Sequence, residues 1–333
     1  MTATKRNAIQ ATSAALVAVL IAGCERPPVD TVQLGPDGTG MHQAINPRTA
    51  KAAPEIPESL PPAPQAGPKA GDIYQNVQVL GDLSVAEFTR TMASITEWVS
   101  PEEGCNYCHN PQDLASDDIY TKVVSRRMMQ MTQAINANWS SHVGEVGATC
   151  YTCHGGQPVP EHIWFEAEKG NAMPNLGNRF GQNIASAEVG YQSLPEPFSR
   201  LLTVEDGPDI VIGKDGWKPG TSESNIKNAE YTMALMTHMS GALGVNCTYC
   251  HNTNNFASYD INGDIRRKAM HGINMVQHLN ENYLDPLGPV YPENRLGPNG
   301  DAPKAYCTTC HAGYNKPLGG AKMAQDFPAF WSR

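Results

Sequence analysis

Four copies of the five-residue pattern Cys-x-x-Cys-His fix what this chain can become: Cys105-Asn-Tyr-Cys108-His109, Cys150-Tyr-Thr-Cys153-His154, Cys247-Thr-Tyr-Cys250-His251 and Cys307-Thr-Thr-Cys310-His311. The pattern is the attachment signature of a c-type haem. Two thiols form thioethers to the porphyrin, and the histidine directly after them binds the iron from one side. Four copies predict four covalent haems c, with His109, His154, His251 and His311 as proximal iron ligands. Zinc ribbons also use Cys-x-x-Cys pairs, but they do not require a histidine directly after the second cysteine. Eight of the nine cysteines lie in the motifs and the ninth is Cys24, so none is left for a disulfide.

The 333 residues suggest about two domains. Buried haem faces substitute for part of an ordinary apolar core, so the chain without haem should fold poorly. A formal charge of -9 argues against nucleic acid and favours basic protein partners. Lys5 and Arg6 precede an apolar stretch from Ala8 to Ala22, and Ala22-Gly23-Cys24 looks like a lipoprotein cleavage box. This predicts a signal peptide over 1–23 and lipidation at Cys24, with an uncleaved anchor as the alternative. Either one tethers the haems to a membrane outside the cytoplasm. Ten of the 26 prolines fall between residues 25 and 70. That composition predicts a linker, or an extended arm wrapping a neighbour, over 24–70, without a compact domain.

The two halves resemble one another. Gly104-Cys-Asn-Tyr-Cys-His-Asn110 matches Asn246-Cys-Thr-Tyr-Cys-His-Asn252, and Asn136-Ala-Asn-Trp139 matches Asn280-Glu-Asn-Tyr283. The doublets Arg126-Arg127 and Arg266-Arg267 are read as opening helical patterns, and each half closes on a second motif. Two dihaem modules follow, over 71–165 and 226–320, joined by a Gly- and Pro-rich segment over 166–225 and ending in a tail over 321–333. The fold class is mainly α: a multihaem cytochrome c of two modules related by a pseudo-two-fold axis, with extensive irregular loops. About five substantial helices are expected. They include Ser84–Trp98, with Ser84 and Glu87 as a capping box, Ile119–Trp139, and Glu230–Leu243 ended by Gly244.

A second axial ligand decides whether an iron only carries electrons or also reacts. Met92 lies thirteen residues before Cys105, and Met236 eleven before Cys247. In the longer helix, Met131 aligns with Met275 and reads as packing. Met128 aligns with Gly272, so the fourth site lacks a methionine there. Spacing does not choose among His142, His271 and His278 for that site.

Glu103-Gly-Cys-Asn-Tyr-Cys-His-Asn110, Arg126-Arg-Met128, Ala134-Ile-Asn-Ala-Asn-Trp139 with His142, Ala234-Leu-Met236 and the four motifs together resemble the tetrahaem cytochrome subunit of purple-bacterial photosynthetic reaction centres, over residues 71–320. The resemblance implies Met92, Met128 and Met236 as sixth ligands of the first three haems and His142 as that of the fourth. It implies a subunit on the periplasmic face of the bacterial inner membrane, docked on the L and M subunits. There it re-reduces the photo-oxidised bacteriochlorophyll pair. Its haems run three, four, two, one from that pair outward, and a soluble cytochrome c or high-potential iron-sulfur protein donates near the first. Light-harvesting subunits are further candidate neighbours.

Between Thr91 and Thr121 stand six acids, Glu97, Glu102, Glu103, Asp113, Asp117 and Asp118, with no Lys or Arg. They form a candidate docking patch for a basic donor. Arg266 and Arg267 are candidates to pair with haem propionates. The competing reading is a periplasmic multihaem oxidoreductase with an open iron. It is disfavoured because all four irons have a sixth-ligand candidate. A freely diffusing shuttle is disfavoured by the lipoprotein-like leader.

Overall fold

The computed structural model describes residues 29–35, 38–166, 187–194, 196–203, 226–258, 261 and 263–331. The leader, Cys24 and most of the connecting segment lie outside them. The described chain is mainly helical. A two-stranded antiparallel hairpin, β1 (Asp30–Gln33) and β2 (His42–Ile45), is its one sheet. The helices are α1 (Ala70–Ile73), α2 (Val85–Val99), α3 (Tyr120–Asn138), α4 (Ser140–Val143), α5 (Cys150–His154), α6 (Ile226–Leu243), α7 (Gly263–Leu279) and α8 (Cys307–His311). Four of these exceed fourteen residues. No described helix is long and apolar enough to cross a membrane.

Local chemistry sets the helix ends. Ser84 Oγ accepts the Glu87 amide at 3.1 Å while Glu87 Oε2 accepts the Ser84 amide at 3.2 Å, the reciprocal pair expected at the start of α2. Phe88, Met92, Ile95 and Val99 then line one face, and the helix stops before Pro101. At the end of α6, Gly244 has φ +63°, and a Cβ there would lie 2.4 Å from the Gly313 carbonyl. Only glycine allows that close approach of α6 to the segment after the fourth motif. The arginine doublets differ from the sequence expectation. Tyr120 opens α3 six residues ahead of Arg126, so Arg126 and Arg127 sit inside the helix, and Arg266 and Arg267 sit likewise inside α7.

Three apolar clusters make the core. One joins Trp98, Met129 and Cys150 to the C-terminal residues Met323, Phe327 and Phe330. A second joins Leu235, Ile273 and Tyr306 to Phe198, Leu201 and Leu202 of the connecting segment. The third lies between the halves, where Met131, Ile135 and Trp139 meet Met275, Leu279 and Tyr283. Burying a side chain such as Phe198 or Phe330 contributes about 1.5–3 kcal/mol.

Matching polar clamps hold the first two clusters. Gln133 Nε2 donates to Ala329 O at 2.9 Å, and Asn136 Nδ2 donates to Phe330 O at 2.8 Å and to Ala148 O at 2.9 Å. In the other half, Gln277 donates to Leu201 O at 2.8 Å, and Asn280 donates to Leu202 O at 2.9 Å and Ala305 O at 3.0 Å. Each asparagine oxygen also accepts an amide, from Ala148 and Ala305 respectively, two residues before a motif begins. The terminal segment thus packs on the first half as the connecting segment packs on the second.

The proline-rich arm lies on its own chain. Gly40 O accepts the Thr253 amide and Ala44 N donates to Asn246 Oδ1, beside the third motif. Lys51 then donates to Ala312 O and covers the Tyr314 ring, whose hydroxyl donates to Ala52 O at 2.7 Å, just past the fourth motif. Tyr151 of the second motif donates to Glu55 O at 3.3 Å. Finally Arg90 and Ser84 donate to Leu60 O and Pro64 O, at the helix leading to the first motif. The arm therefore meets the four motif regions in the order three, four, two, one. Its proline-rich backbone leaves carbonyls free to accept these side chains.

Replacing Asn136 with Ala orphans the Ala148 and Phe330 backbone groups. The expected cost is about 2–4 kcal/mol. Limited proteolysis of the Asn136→Ala protein should clip the terminal segment over 323–331 early. The Asn280→Ala protein should keep that segment protected.

Candidate haem-binding sites

The four motifs fold in two local forms, and their third residue decides which. In the second and fourth, that residue is threonine. Thr152 Oγ1 accepts the Thr149 amide at 2.9 Å and Thr309 Oγ1 accepts the Tyr306 amide at 3.0 Å, so each motif starts a short α-helix. In the first and third the residue is Tyr107 or Tyr249, and the cysteines sit on a 3-10 turn. Here the His109 amide reaches Cys105 O at 2.9 Å and the His251 amide reaches Cys247 O at 3.0 Å.

All four histidines are tethered through the same ring atom. Nδ1 faces the carbonyl of Leu114 at 3.0 Å from His109, of Phe256 at 2.9 Å from His251, of Gln157 at 2.9 Å from His154 and of Tyr314 at 2.9 Å from His311. A carbonyl oxygen only accepts, so Nδ1 carries the hydrogen and Nε2 keeps its lone pair. This arrangement orients a metal-binding imidazole and raises its donor strength. Burial lowers the pKa of His154 and His251, and that of His311 to about 4, which keeps those rings neutral. Burial also pushes the Cys150 and Cys307 thiols up to about 12. A thiol raised that far holds little thiolate at neutral pH.

Met92 and Met128 fall beside the first and second motifs. Met92, Cys105, Cys108 and His109 line one cleft of about 620 Å³, a size typical of ligand-holding pockets. Lys122 and Arg126 line the same cleft. Met128, Cys150, Cys153 and His154 line a narrower cavity of about 150 Å³. Met131 is also in its wall, and Met131 and Met275 both pack in the cluster between the halves, as their alignment predicted. Met236 lies half-buried on α6 against the second cluster.

His142 comes to the fourth motif from the other half. Its ring centroid stands 6.0 Å from that of His311, and its Nδ1 donates to Lys268 O at 2.9 Å. Two imidazoles bound to one metal at about 2.0–2.1 Å each hold their ring centres roughly 6 Å apart, so this spacing fits an iron between them. Gly272 makes the room, since a Cβ there would lie 2.5 Å from His142 Cε1. The missing methionine at that position is thus what admits the histidine. His278 sits instead between Trp139 and Tyr283, tilted against one ring and edge-on to the other.

A polar cluster beside the fourth motif was not legible in the sequence. Buried His238 donates through Nδ1 to Glu188 Oε2 at 3.0 Å and stacks on Tyr306, and Tyr306 in turn donates to Glu188 at 3.2 Å. The pair holds the Glu188 carboxyl below its ordinary range, and it ties the helix of Met236 to the fourth motif. Glu188 lies far off in sequence, in the connecting segment, and gave no local signal. Of the six acids, Asp117 is engaged internally by Arg126 at 2.8 Å and Lys122 at 3.5 Å, and Glu103 accepts from Ser100 at 2.7 Å. Glu97, Glu102, Asp113 and Asp118 are exposed. Arg266 holds the Ala257 and Ser258 carbonyls, and Arg267 pairs with Asp264 at the surface.

Haem attachment motifs with tethered imidazoles on a mainly helical frame define a c-type cytochrome. A family model described as the photosynthetic reaction centre cytochrome c subunit matches residues 25–331. The photosynthetic reaction center cytochrome c subunit of Rubrivivax gelatinosus is 53% identical over 322 residues, covering 95% of this chain and 87% of that protein. Those of Thermochromatium tepidum and Roseobacter denitrificans are 47% identical over 320 residues and 42% over 318. They cover 95% and 90% of this chain and 78% and 84% of their own lengths. The chain belongs to the photosynthetic reaction centre cytochrome c subunit family. It is an electron carrier rather than an enzyme, binds c-type haem covalently and delivers electrons to a membrane-associated reaction centre.

A Gly272→Ala substitution should expel His142. Reduced protein carrying it should bind carbon monoxide at one haem, with one midpoint potential shifted and the others unmoved. Unchanged carbon monoxide behaviour would separate His142 from the fourth site.

Proposed function

We propose that the subunit holds four haems c in a line and re-reduces the photo-oxidised bacteriochlorophyll pair seated on the L and M subunits. The observations that support this reading are that Met92 and Met128 each share a cleft with a motif histidine, that the His142 ring stands 6.0 Å from that of His311, and that Met236 lies on the helix leading to the third motif. When bound, each haem supplies one-electron chemistry at its iron, and a donor on both faces leaves no open position for a substrate. That disfavours the oxidoreductase alternative.

The chain's own residues support such a path. The arm's contacts support the order three, four, two, one from the pigment pair outward. The aligned clamps of Asn136 and Asn280, and the central cluster built from aligned residues of both halves, support two modules related by a pseudo-two-fold axis. Lys122 and Arg126 place positive charge in the wall of the first cleft, which favours a reduced iron or a propionate there. Cys24, lipidated, would anchor the subunit at the periplasmic face, although one acyl chain binds weakly and the reaction centre must supply the rest.

A soluble cytochrome c or high-potential iron-sulfur protein would dock near the first site. The exposed acids Glu97, Glu102, Asp113 and Asp118, with Glu103, fit a basic partner. In intact membranes, a flash should oxidise a c-type haem immediately after the pigment pair bleaches. Re-reduction by a basic donor should slow steeply with added salt, and Glu102→Lys should slow it at low salt only. A flat salt dependence would remove the acidic patch from the docking site.

A further inference from the structure

The two halves differ in length at one place. In the first, the clamping Asn136 and its partner Ala148 stand 12 residues apart, and in the second Asn280 and Ala305 stand 25 apart. The longer connection, residues 281–304, reaches into the other half. Its Tyr291, Arg295 and Lys304 line the cavity shared by Met128 and His154. Arg295 and Lys304 bring positive charge to that wall, and no carboxylate is among the described residues lining it. The repeat aligns Lys304 with Gly147, each one residue before the clamped alanine. Gly147 has φ +64°, and a Cβ there would lie 2.7 Å from the Trp331 ring, so a larger residue does not fit. The second half therefore lends the first a cation for which the first has no counterpart.

Lys304 is fixed in place. Its side chain is 1% exposed. Its backbone exchanges hydrogen bonds with that of Trp164 at 3.1 and 2.9 Å, and its ammonium lies 5.6 Å from the centre of the Trp164 ring. The ammonium donates to Asp301 Oδ2 at 2.8 Å and pairs with Asp285 at 3.1 Å and Glu166 at 3.9 Å. A buried cation needs such partners. Asp285 and Glu166 are 43% and 47% exposed, where water and salt screen their field. The cavity wall is largely apolar and offers little screening, so the cation acts more strongly there than its counter-charges do.

We propose that the connection over 281–304 raises the midpoint potential of the second haem through Lys304 and Arg295. The proposal rests on the four-haem reading above, with Met128 and His154 on the two faces of that iron. Ferrous haem carries one positive charge fewer than ferric haem. A cation in the cavity wall therefore disfavours the oxidised form, and the site holds its electron more tightly.

Redox titration of the intact complex, followed in the haem absorbance bands, tests this. Lys304→Met and Arg295→Gln should each lower one midpoint potential and leave the other three in place. The expected change in the electron-sharing ratio with an unaltered haem is about tenfold, or about 59 mV. Lys304→Arg should restore the native value. Asp285→Asn removes a counter-charge outside the cavity, so it should move the same potential upward. Loosened packing would admit water and lower the potential in every variant, so the opposite sign separates charge from packing. Met128→His marks the second haem by changing its ligand signature. If Lys304→Met does not assemble, Arg295→Gln and Asp285→Asn carry the same test. Unmoved potentials in those two variants, or a fall in both, would overturn the proposal. An unaltered set of iron signatures in Met128→His would instead overturn the ligand reading beneath it.

Discussion

The structure depends on a short bond made four times, from the imidazole Nδ1–H of a motif histidine to a backbone carbonyl three or five residues ahead. The bond fixes the tautomer, aims Nε2 and ties the loop after each motif to its histidine. It also accounts for the loops being held so closely. Leu114, Gln157, Phe256 and Tyr314 each supply the accepting oxygen, and the segments carrying them are anchored in turn by Lys122, which donates to Leu114 O, by Arg266 and by the arm. A histidine free to rotate would expose either nitrogen and could leave the iron. One tethered through Nδ1 keeps Nε2 aimed in one direction.

Around those tethers the chain uses few large cores and many specific clamps. Buried Asn136 and Asn280 each satisfy three backbone groups, and both lie at the approach to a motif helix. The arm adds a lacing of carbonyl acceptors along one side. This economy suits a protein in which bound porphyrin fills space that apolar side chains fill elsewhere. Thioethers, tethers and clamps all restrict motion of the same few helices, which keeps the distances between electron-carrying groups fixed.

Features carried by neighbouring residues were legible in the sequence. The motifs, the capping box of Ser84 and Glu87, the Gly244 stop and the pairing of Met128 with Gly272 are all local or aligned patterns. Contacts between residues far apart were not legible, because nothing in a short window distinguishes them. The terminal tail read as an appendage, yet Phe330 and Met323 complete the first core. The arm read as a linker or an extended arm, and its contacts with the four motif regions of its own chain gave no local signal. One signal was available: Gln133-Ala-Ile-Asn136 and Gln277-His-Leu-Asn280 align in the repeat. A polar pair kept at equivalent core positions implies equivalent backbone partners. His142 was reachable through the family resemblance alone, and Gly272 gives the physical reason the structure accepts it there.

The central claim is that this chain grips four covalent haem irons from both sides. Near-infrared magnetic circular dichroism of the purified oxidised subunit reads axial ligation directly. The account predicts low-spin iron throughout, with three methionine–histidine signatures and one bis-histidine signature. High-spin iron at any site, or a preparation without covalent haem, would contradict it.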